Sequence, residues 1–166
     1  MEIAEKWAST LGDTTGQTDG ADPKGSRLTA LAIQHGPATL IVAEQNEVIV
    51  LIAGLEFPAQ LRAQVNQLPQ KTQEKILYTI KQVLMENARV AWQMQPATVT
   101  RLGELGKLQL SIFMRLDEKN TETFNGFADA IQELTTLVVR VGVVVGQVFT
   151  GGSTSGNEVP NASIYR

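Results

Sequence analysis

Between residues 121 and 149, Phe124, Phe127, Ile131, Leu134, Val138, Val141, Val145 and Val148 recur every three or four positions. That spacing places them on one stripe of an α-helix. Asn120 and Thr121 are both suited to capping the start, and Glu122 falls in the first turn, where the helix dipole favours an anion. A continuous helix over 121–148 would be roughly 42 Å long at ~1.5 Å per residue. A stripe of that length needs a partner surface, so the rest of the chain must supply one. The second half of the segment leaves two readings open. Its valines are β-branched, and Gly142 and Gly146 weaken a helix. The alternative to one long helix is a break near Thr136 followed by a buried strand.

Gly142 and Gly146 form a small-xxx-small spacing that admits a second helix closely. Val141, Gly142, Val145 and Gly146 are therefore a candidate homodimer interface, with close packing inside one subunit as the alternative. A membrane span is not expected, because the apolar run over 137–149 is short and Arg140 interrupts it.

The surrounding sequence reads as short strands and helices. Residues 2–11 place Ile3, Trp7 and Leu11 on one helical face, with Trp7 as the docking anchor. Residues 13–26 are polar and rich in Gly and Asp, and read as a loop. Asp13, Asp19 and Asp22 lie in it without the spacing or closing Glu of a calcium loop. Strands are predicted over 27–34, 39–44 and 48–55, joined by turns too short for parallel crossovers. Pro58 opens a helix, Leu68 and Pro69 break it, and a second piece runs to about Glu86. Strands over 89–95 and 107–116 follow, the latter alternating Leu108, Leu110, Ile112 and Met114 with Lys107, Gln109, Ser111 and Phe113. The fold class predicted is α+β: an antiparallel sheet of about five strands with helices packed on it, in the order α-β-β-β-α-β-β-α. Residues 1–150 form one domain, and 151–166 read as a polar tail with little fixed structure.

Composition narrows the function. A net charge of −3 with no Lys/Arg cluster argues against nucleic acid. The chain has no Cys, which removes disulfides, thiol nucleophiles and Cys-based zinc sites and suits a reducing cytoplasm. No secretory signal is expected from the first residues. His35 is the single histidine and precedes a Gly36–Pro37 turn, with no carboxylate orienter or nucleophile evident in the sequence. Arg101 and Glu104 share a loop, and Asp117, Glu118 and Glu122 cluster before the long helix. None of these matches a catalytic, phosphate-binding or metal motif, so no enzyme, cofactor or metal is expected. The competing hypothesis is a small-molecule-binding domain or enzyme drawing on His35, Arg101 or the 117–122 acids.

The order of elements, carried by 49–58 (IVLIAGLEFP), 75–84 (KILYTIKQVL), 107–116 and 124–131 (FNGFADAI), resembles the fold of type III secretion chaperones and of small uncharacterised archaeal and bacterial families sharing it. The resemblance spans residues 3–149. It implies a homodimer that binds an extended or partly folded protein client on exposed apolar surface. The polar loop, the tail and the mild acidity depart from that pattern.

Overall fold

The computed structural model describes residues 2–11, 14–21, 27–45, 48–115 and 121–150. The chain runs α1 (Glu2–Thr10), β1 (Thr14–Ala21), β2 (Arg27–His35), β3 (Ala38–Gln45), β4 (Val48–Glu56), α2 (Ala59–Val65), α3 (Gln70–Met85), β5 (Ala91–Gln95), a 3-10 turn (Leu102–Glu104), β6 (Lys107–Arg115) and α4 (Thr121–Thr150). It is an α+β fold on one antiparallel sheet of order β1-β2-β3-β4-β6-β5. The five predicted strands are all present, and a sixth joins them.

That sixth strand corrects the loop reading of 13–26. Thr14–Ala21 pairs with β2 over its whole length, from Thr14↔Gln34 to Ala21↔Arg27. Its polar composition hid it, yet an edge strand needs ladder partners on one side only and tolerates polar residues. Asp19 lies in this strand. Asp13, Asp22, Asp117, Glu118 and residues 151–166 lie outside the described residues, as does the side chain of Glu122.

The open question over the last segment resolves to one continuous helix of 30 residues. Propensity costs of tenths of a kcal/mol per valine, and ~1 per glycine, oppose it. Burial of a Val, Leu, Ile or Phe side chain returns ~1.5–3 kcal/mol each. Phe127, Ile131, Leu134, Leu137, Val138, Val141 and Val145 are all buried, so burial outweighs propensity. Arg140, which interrupts the apolar run, points away from the core and pairs with Glu86 after α3 at 2.8 Å. No helix among the described residues is long and apolar enough to cross a membrane.

α4 lies across the sheet face formed by Leu31, Ile33, Leu40, Val42, Ile49, Leu51, Ala53, Leu108, Leu110 and Ile112, all buried. A Cβ placed on Gly126 would sit 3.2 Å from Met114 Cε, which fixes α4 on this face. Trp7 of α1 meets Phe127 at 5.3 Å and Phe124 at 6.1 Å between ring centroids, the docking expected of it. The α2–α3 break at Pro69 is held by Gln73, which is only 3% exposed. Its amide nitrogen donates to the Leu68 carbonyl at 3.0 Å, and its oxygen accepts from the buried Gly103 N–H at 3.2 Å.

Candidate functional site

A strand sends successive side chains to opposite faces, so the sheet's second face can be read from the register. Ala32, Ile41, Ile52, Ser111 and Ala91 form one row across β2, β3, β4, β6 and β5. Ala43, Val50 and Phe113 form the row beside it. Ile41 is 39% exposed and Phe113 62% exposed. Ile41, Val50, Ile52 and Phe113 all stand apart from the core cluster. An antiparallel sheet with one solvated face ordinarily alternates apolar with polar residues. β4 does not: from Val48 to Ala53 both of its faces are apolar, the signature of a strand covered on both sides.

The second feature is a groove of about 390 Å³ where the last turns of α4 pass the end of the sheet. Val138, Val141, Gly142, Val145 and Gly146 form one wall, and Leu55, Phe57 of the β4–α2 connection and Leu61 of α2 face them. Thr39, Ile41 and Gly54 carry the groove toward the bare sheet face, with Glu56 and Lys107 the charged side chains along it. The four candidate interface residues thus share one wall. Val141 is fully buried and Val145 is 6% exposed, so Gly142 and Gly146 are the members that solvent reaches. A Cβ on Gly146 would meet nothing within 4 Å, so close packing inside the subunit does not account for that glycine.

A third apolar patch lies on α3, where Tyr78 and Met85 are 61% and 67% exposed. They are seven positions apart and so share a helix face.

Among the described residues, the titratable side chains singled out from sequence make separate contacts. His35 Nε2 lies 3.4 Å from Gln132 Oε1 of α4, which ties the end of β2 to the long helix. Arg101 and Glu104 pair with each other through Arg101 Nε at 3.0 Å and Nη2 at 2.8 Å. The Glu104 carboxylate also accepts from Thr100 N at 3.1 Å and Thr100 Oγ1 at 3.0 Å. Hydrogen bonds from the Arg101 guanidinium, then from Thr100, push its pKa from 4.5 down to about 2. This arrangement closes the loop before β6, and neither His35 nor Arg101 lines the groove. Among the described residues no group of three or more His, Asp or Glu gathers as a metal would need.

The bare sheet face and the groove were missed from sequence. The available signal for the first was the unbroken apolar run of β4. The groove had none, because its walls lie far apart in the chain, at 55–61 and 138–146.

No protein-family model matches the sequence, and no curated protein matches it. The fold is similar to that of an uncharacterized protein from Methanothermobacter thermautotrophicus, with a TM-score of 0.70 at 10% identity over 89% of this chain and 97% of that chain. At that identity the likeness establishes the fold alone.

Proposed function

We propose that this protein is a non-enzymatic, chaperone-like protein-binding domain that acts as a homodimer in the cytoplasm. The observation that carries this reading is the second face of the sheet, where Ile41 and Phe113 are exposed beside half-buried Val50 and Ile52. Monomers rarely leave contiguous apolar surface uncovered, and uncovered patches mark interaction sites. A second copy covers this face by stacking sheet on sheet, a geometry that spaces two sheets about 10 Å apart. β5 is an edge strand, and an extended client segment extends the sheet there by strand addition. The resemblance to type III secretion chaperones points the same way, as does the apolar Tyr78–Met85 patch.

The test uses a fluorescent, permanently unfolded polypeptide as client, titrated with the full-length protein and followed by anisotropy. Saturable binding of the client is expected. The reading fails if neither this client nor any other unfolded polypeptide binds.

A further inference from the structure

The groove at the end of the sheet has a chemistry of its own. Its walls are apolar, with Val138, Val141 and Val145 on one side and Leu55, Phe57 and Leu61 on the other. At about 390 Å³ it falls within the ~300–1,000 Å³ typical of small-molecule sites. Among the described residues that line it, Lys107 is the cation. Lys107 opens β6 opposite Glu56, and its stem lies over Gly54, where an added Cβ would sit 3.7 Å from Lys107 Cε.

The Lys107 ammonium stands 3.9 Å from the Glu56 carboxylate, beyond hydrogen-bond reach. The Glu56 side chain is 79% exposed and that of Lys107 41%. An exposed pair of this length is among the weakest ionic contacts, so a better-placed anion displaces Glu56 at little cost. A compact ammonium with three donors suits a carboxylate at the end of an apolar chain.

We infer that the groove binds a small amphipathic carboxylate, its apolar chain laid against the α4 valines and its head held by Lys107. This site adjoins the protein-binding surface proposed above and shares Ile41 with it. Gly142 and Gly146 then serve to leave room for the chain.

The test is calorimetric titration of the full-length protein with decanoate, decanol and decyltrimethylammonium, each below its aggregation concentration. Saturable binding of decanoate is expected, with the cationic homologue at least about tenfold weaker because like charge now faces Lys107. Lys107→Met should weaken decanoate about three- to tenfold and leave decanol unchanged, while Glu56→Gln should tighten decanoate. Gly146→Leu projects into open space and improves helix propensity, so it should keep the fold and abolish binding. Equal affinity for the three head groups, or indifference to Lys107→Met, overturns the assignment of Lys107. Absence of saturable binding overturns the site. Light scattering on the same samples separates these failures from those of the dimer. If Gly146→Leu converts a dimer to a monomer and decanoate does not bind, a second copy fills the groove and the ligand inference is wrong.

Discussion

The loop before β6 turns on one carboxylate. Glu104 accepts hydrogen bonds from Arg101 and Thr100, and its pKa falls from 4.5 to about 2. A carboxyl with a depressed folded-state pKa adds stability above its unfolded value, and that contribution is lost as pH falls through the folded value. Glu104→Gln should therefore lower the thermal midpoint at neutral pH, and the gap to the parent protein should close between about pH 4.5 and about pH 2. Melts across that range check it; a gap independent of pH would mean the ion pair adds nothing. Sequence placed Arg101 and Glu104 in one loop but gave no sign that they satisfy each other. Such pairing depends on backbone turns that local sequence does not report. His35 is similar: its turn was legible, whereas its contact with Gln132 links residues 97 apart in the chain.

At the scale of elements, period-two and period-3.6 patterns were readable wherever one face is buried. β6 and the α4 stripe are the clearest cases, as is the Pro69 break between α2 and α3. β1 was not readable, because its ladder with β2 is a backbone property and its side chains are polar. The valine-rich end of α4 was ambiguous for a different reason. Its local preference is for strand, and only burial against the sheet end decides for helix. The α1–α4 junction offers a direct test of this packing. Phe127 is fully buried, touches Trp7 and sits where α4 crosses the sheet. Phe127→Ala should cost about 3–5 kcal/mol, by the usual sum of lost transfer energy and cavity. Denaturant titration measures it, and a cost below about 1 kcal/mol would contradict the register of α4. Trp92, paired with Leu110 on the core side of β5, is only partly buried, and its truncation should cost less.

For the whole molecule, α1, α3 and α4 contribute to the core on one face of the sheet, and apolar residues stand on the other face among the described residues. The α+β architecture and most of its elements could be argued from sequence, because they follow from local pattern. The surfaces that carry the functional proposal could not, because they arise where strands distant in sequence meet. The central claim is that a second copy covers the bare face. Size-exclusion chromatography with light scattering, on the parent protein and on Phe113→Lys, tests it most directly. Phe113 is 62% exposed, so its replacement should shift the melt of an isolated subunit by no more than about 0.5 kcal/mol. The account predicts twice the chain mass of 18.0 kDa for the parent and a shift to the single-chain mass for Phe113→Lys, with the fold retained. A parent protein that elutes as a monomer at every concentration, or a dimer indifferent to Phe113→Lys, would contradict it.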